Sequence, residues 1–106
     1  MVARIEKVIS GEEPVWKYFV DILGHTGLGA AYALPTSLAG VYLGCSPALI
    51  LIVGCIMALL GGVAREVAQY MATGKPHPLD RALDALHHLL GAPVAWGIAV
   101  GIRALF

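Results

Sequence analysis

The chain has 106 residues, 58% hydrophobic and 13% charged, with seven basic side chains balanced by seven acidic ones. Its mean hydropathy is +0.79. With zero net charge and no basic stripe it is not built to bind nucleic acid, and its length allows one small domain.

Between Thr26 and Ala64, 39 consecutive residues carry no charged side chain. A bilayer core takes about 20 apolar residues of helix to cross, and a soluble domain of this size has no interior deep enough for twice that length. The expected fold is an all-α integral membrane protein, three transmembrane helices in a small bundle, with the lipid bilayer as its partner.

Residues 1–15 hold polar and acidic groups where a signal peptide needs an unbroken apolar core, so no signal peptide is expected. Pro14 suits a first helical turn, with Glu12 and Glu13 ahead of it at the positive end of the helix dipole. The first helix is predicted over about 14–43, with Trp16 and Tyr18 as interfacial aromatics and a kink at Pro35. Thirty residues at 1.5 Å each span about 45 Å, more than a hydrocarbon core, so the first two turns are expected outside it. Gly44, Cys45, Ser46 and Pro47 read as a tight connection, with Ser46 capping the second helix and Pro47 at its first position. That helix is predicted over about 47–71, closed by Gly74 to Pro78. The third is predicted over about 79–105, bent or loosened at Pro93. Cys45 and Cys55 are expected to pack as small apolar groups rather than form a disulfide.

Three spans put Arg4, Lys7, Lys17, Arg65, Lys75 and Arg81 on one side and Arg103 on the other. The excess of basic residues in short cytoplasmic loops then predicts a cytoplasmic N-terminus, in a bacterial inner membrane. Small residues spaced by four let helix backbones approach closely where lipid supplies no hydrophobic drive. Gly40, Gly44, Gly62, Gly91, Gly97 and Gly101 are expected at such contacts, within one protomer or, for Gly97 and Gly101, in a homo-oligomer.

Ionisable groups at membrane depth are costly and pair with one another. Here Asp21 and His25 lie four apart on the first helix. Glu66 and Gln69 share a face of the second, below Gly62. Asp80, Asp84, His87 and His88 make a polar stripe on the third. Under the three-span topology all lie near one membrane face. Histidines and carboxylates are ligands of zinc or a harder divalent ion and are also proton carriers. The ligand quartet that the spacing suggests is His25, Glu66, Asp84 and His88. The competing reading is an internal hydrogen-bonded network in which Arg65 or Arg81 pairs a carboxylate. His77, between prolines, reads as a solvated loop residue.

The order Asp21-x-x-x-His25, Gly62-x-x-x-Glu66-x-x-Gln69, Asp84-x-x-x-His88-x-x-Gly91 resembles the VanZ-like family of small membrane proteins. The stretch Gly62-Val63-Ala64-Arg65-Glu66 is also similar to the YfiM-like envelope proteins, in which a basic residue precedes the glutamate. The chain departs from the VanZ-like pattern at His88, where the family has asparagine, and at Ile22, where a lysine often follows the first aspartate. It is also one helix shorter than many members. The resemblance implies an envelope role, with His25, Glu66, Gln69, Asp84 and His88 as functional positions.

These observations predict a non-catalytic envelope protein whose polar cluster binds a lipid or lipid-linked headgroup. Three alternatives compete with it. Size, span number and glycine-rich faces also fit a phage holin, a hole-forming oligomer. The charge bias and the short tail after Arg103 point away from that class. A structural membrane component of a virion or larger complex fits as well. A membrane-embedded metal-dependent hydrolase using Glu66 or His88 as base lacks a nucleophile motif, since Thr36, Ser37 and Ser46 have no neighbouring base in sequence.

Overall fold

A computed structural model describes residues 2–74 and 78–106, with side chains for 6–74 and 81–106. The expected turn at Lys75, Pro76 and His77, and the side chain of Asp80, lie outside the described residues. The described chain is all helical: α1 (Val2–Ile9), α2 (Val15–Tyr42), α3 (Pro47–Thr73), α4 (Pro78–His87) and α5 (Gly91–Leu105), with a single 3₁₀ turn at His88–Leu90 between the last two.

The α2–α3 connection follows from its residues. Gly44 takes the left-handed conformation at φ +75°, which a side chain disfavours. There the Cys45 amide donates to the Gly40 carbonyl (2.9 Å) and the Gly44 amide to the Val41 carbonyl (3.2 Å), closing the helix end. Ser46 then caps α3 by accepting from the Leu49 amide at 3.2 Å, with Pro47 in the first turn. Gly44 therefore works as a turn residue and not as a packing contact. α2 runs on through Pro35, which faces outward, and the Thr36 hydroxyl donates to the Ala33 carbonyl at 3.1 Å.

Two elements differ from the sequence expectation. The third predicted helix is divided at His88–Leu90, three residues ahead of Pro93. Proline has no amide proton to give the Leu89 carbonyl and its ring displaces that carbonyl, so the preceding turn tightens into 3₁₀ geometry. The other is α1, an eight-residue helix with Val2, Ile5, Val8 and Ile9 at helical spacing. So short a helix is marginal alone, and it rests against α2 and α4.

α2 is the central helix, packed against both α3 and α5, in a body of 48 × 28 × 20 Å. Most of the buried residues are small: Gly29, Ala30, Ala33, Ser37 and Gly40 on α2, Gly54, Ala58 and Gly62 on α3, and Gly91, Ala92, Ala95 and Ala99 on α5. Apart from Ile50, which is buried against Gly40, most large apolar side chains point away from this core. Ile52, Ile56 and Leu60 on α3 keep more than half of their surface open, at 59%, 52% and 59%. Cys45 and Cys55 are free, half-buried thiols.

Two helical segments, α3 and the run Arg81–Leu105, are long and apolar enough to cross a membrane. α2 has the length but not the apolar density, because its inner face is glycine, alanine, serine and histidine.

The packing glycines divide into two groups. A Cβ on Gly91 would collide with the backbone of Gly29 and Ala30, and one on Gly29 with the backbone of His88. A Cβ on Gly40 would lie 2.7 Å from the Ile50 side chain, and one on Gly62 would lie 2.9 Å from the His88 ring. Gly61 faces the Tyr32 ring in the same way. At Gly97 and Gly101 a Cβ would meet nothing within 4 Å, so neither takes part in packing within the described protomer.

Candidate functional site

The Gly29–Gly91 crossing brings α2 against the 3₁₀ turn, and with it two copies of one local unit. On α2 the His25 ring donates from Nδ1 to the Asp21 carbonyl at 2.7 Å. From the 3₁₀ turn the His88 ring donates from Nδ1 to the Asp84 carbonyl of α4, also at 2.7 Å. A carbonyl only accepts, so each contact places a proton on Nδ1, and in the neutral ring Nε2 then carries the lone pair. The two rings meet edge to face with centroids 5.1 Å apart, and Tyr32 stacks on His88 at 5.9 Å. His88 is wholly buried, in space that Gly62 leaves open, and its Nε2 has no hydrogen-bond partner.

His25 is buried, at 6% exposure. Its Nε2 faces the Asp84 carboxylate at 3.8 Å, and its Nδ1 lies 3.9 Å from the Asp21 carboxylate. Asp21, His25 and Asp84 can offer one ligand atom each with all three within 4.8 Å of one another. The other Asp84 oxygen, Oδ1, is buried without a hydrogen-bond partner. His87 lies further out, its ring 6.5 Å from that of His25.

Glu66 belongs to a separate arrangement. It is buried on α3, where Arg65 donates from Nη1 to Oε1 at 3.0 Å. Arg81 reaches across from α4 to Oε2 at 3.4 Å and to the Glu66 carbonyl at 3.2 Å. Gln69 completes the group once its amide is turned to match its neighbours, which puts its nitrogen 3.3 Å from Glu66 Oε2 and lets its oxygen accept from Arg65 Nη2 at 3.0 Å. The Arg81 guanidinium also sits 5.8 Å from the centre of the Tyr70 ring.

The expected polar residues thus gather at one end of the bundle but split in two. Of the suggested ligand quartet, His25 and Asp84 come together with Asp21, while Glu66 is held by two arginines and His88 stacks with Tyr32. Sequence reasoning did not single out Gly29 or Tyr32. The signal for Gly29 was its place four residues after His25, mirroring Gly91 three after His88. The hydroxyls considered as nucleophiles lie elsewhere: Ser37 is fully buried in the core, Ser46 caps α3, and Thr36 bonds its own helix.

A groove of about 230 Å³ opens beside the first cluster, lined by Val20, Asp21, Gly24, His25, Leu28 and Arg65. Its lining is apolar at Val20 and Leu28 and polar at Asp21, His25 and Arg65.

No protein-family model, no curated protein and no solved structure matches the chain.

Proposed function

We propose that the protein is a three-span integral membrane protein of the bacterial envelope, N-terminus in the cytoplasm, that binds a lipid through its headgroup. The spans are α2, α3, and α4 joined to α5. Support for the membrane reading comes from the inverted packing, with glycine and alanine inside and isoleucine, leucine and valine outside. In water such a surface is an aggregation site; in lipid it is solvated. α2 crosses despite its lower hydropathy because α3 and α5 shield its polar face.

The observation that carries the ligand reading is the groove. Val20 and Leu28 offer an apolar wall for an acyl chain, and Asp21, His25 and Arg65 offer polar contacts for a headgroup. The VanZ-like and YfiM-like resemblance points to the same envelope role, and no reaction is assigned. Gly24 provides the test, because it lines the groove and a Cβ added there meets no protein atom within 4 Å, so a larger side chain starts from open space. Gly24→Trp is expected to lower the lipid retained by detergent-purified protein at least fivefold, read by native mass spectrometry, with helical content unchanged. Equal retention by both proteins would reject the groove as the lipid site. A chain that stayed monodisperse in plain buffer would reject the membrane reading itself.

The open Gly97–Gly101 face supports a second reading, in which copies associate through α5 as a hole-forming oligomer or a component of a larger assembly. Gly101→Leu separates the two. A Cβ there meets nothing among the described residues and the position is exposed, so the variant's unfolding free energy is expected to stay within about 0.5 kcal/mol of the parent. A fall in oligomer size on crosslinking in membranes would favour the oligomer, and an unchanged monomer would favour the lipid-binding reading.

A further inference from the structure

We infer that Asp21, His25 and Asp84 bind one divalent metal ion of the zinc class. The inference rests on the reading of the adjoining groove as a ligand site and names the ion at its polar end.

The first argument is the confrontation of acceptors. The Nδ1 proton of His25 is committed to the Asp21 carbonyl, so Nε2 presents a lone pair. It presents that lone pair to a carboxylate oxygen, Asp84 Oδ2, at 3.8 Å. Two acceptors facing each other at that range repel unless a cation lies between them or a proton sits on Nε2. Ligand atoms on one zinc ion, each about 2.0 to 2.2 Å from the metal, stand roughly 3 to 4 Å apart, so the His25–Asp84 spacing suits an ion, and the Asp21 oxygen, within 4.8 Å of both, joins by a small rotation of its side chain.

Burial supplies the second argument. His25 is more than nine-tenths buried, and its Nε2 faces Asp84 Oδ2 at 3.8 Å, beyond hydrogen-bond range. Asp84 Oδ1 beside it is buried and unpartnered as well. Two carboxylates brought from separate helices onto one imidazole are unfavourable at low dielectric, and a divalent cation cancels both charges. Glu66 does not compete for the ion, because Arg65 and Arg81 already neutralise it.

The third argument is orientation. A metal-binding histidine ordinarily gives its other ring proton to a carbonyl or carboxylate, which fixes the tautomer and aims the ligand nitrogen. The His25–Asp21 bond is of that kind. One imidazole and two carboxylates form a borderline set that zinc accepts, and three protein ligands leave a coordination position for an outside oxygen. The groove lies beside the cluster and shares Asp21 and His25 with it, so that oxygen is supplied by the lipid headgroup.

The test uses the full chain in detergent, stripped with a chelator and titrated with zinc chloride alone. Wild-type protein is expected to take up one zinc per chain by calorimetry and elemental analysis. His25→Gln and Asp84→Asn are expected to weaken uptake at least about 100-fold, since even outer-shell partners cost roughly 10- to 100-fold. Glu66→Gln is expected to bind as the parent does. Circular dichroism and elution volume report whether each protein is folded. A folded wild type that takes up no stoichiometric zinc overturns the proposal, and the cluster is then held by a proton on His25. Variants that bind like wild type overturn it too. Lipid retention measured on the same samples keeps the two failures apart: lipid held without zinc removes only the ion, whereas loss of both removes the groove reading.

Discussion

Gly91→Ala is expected to destabilise the protein more than a methyl group added at any other glycine except Gly29. The added carbon would overlap the backbone of Gly29 and Ala30 and come within 2.6 Å of the Thr26 carbonyl. Backbone atoms cannot rotate away as the end of a side chain can, so α2 and α5 must separate along the crossing. Overpacking a core costs about 1 to 3 kcal/mol and occasionally more. With backbone on both sides, the expected loss is about 3 kcal/mol or above, measured as unfolding in mixed micelles with rising denaturing detergent. Gly29→Ala should match it. The double variant should fall short of the sum, because one separation relieves both clashes. Gly97→Ala is the control: its methyl meets nothing, and the better helix propensity of alanine, about 0.5 to 1 kcal/mol, makes it neutral or slightly stabilising. If Gly91→Ala unfolds within about 0.5 kcal/mol of the parent, the close crossing does not exist.

The same crossing marks what the amino-acid sequence discloses and what it withholds. The helix ends at Ser46–Pro47 and Gly74 are local events, decided by a capping hydroxyl, a missing amide proton and a left-handed glycine, and they were legible. So was the gathering of charged groups at one end, because alternating helices return Asp21, Glu66 and Asp84 to the same level. Which groups pair was not legible. Helical periodicity places Glu66 on an inward face but does not say that Arg81, fifteen residues on, arrives before His25 does. That choice follows from the rotation of α4, which the 3₁₀ turn ahead of Pro93 sets. Gly29 escaped notice for a related reason. A glycine reads alike whether it faces a backbone, as Gly29 does, an aromatic ring, as Gly61 does, or open space, as Gly97 does. The helix α1 was passed over because eight residues give too little periodicity to stand out.

Replacing Glu66 tests the other half of the polar end. Glu66→Ala removes the carboxylate shared by Arg65 and Arg81, and it leaves guanidinium groups that are 32% and 19% exposed. Breaking one side of a buried pair costs about 3 to 5 kcal/mol, chiefly because the remaining charge stays desolvated. Partial access to solvent puts this site at the lower end, about 3 kcal/mol. Arg81→Met should cost less, since Arg65 and Gln69 still satisfy Glu66. In Glu66→Ala with Arg81→Met the losses should partly cancel, giving a coupling of about 0.5 to 3 kcal/mol in a double-mutant cycle. Glu66→Gln keeps an acceptor for one arginine and should fall between the parent and Glu66→Ala. Unfolding transitions of the four proteins in one detergent decide the matter. Additive losses would mean that Arg81 does not reach Glu66, and α4 would then have to pack on α3 through its apolar face alone.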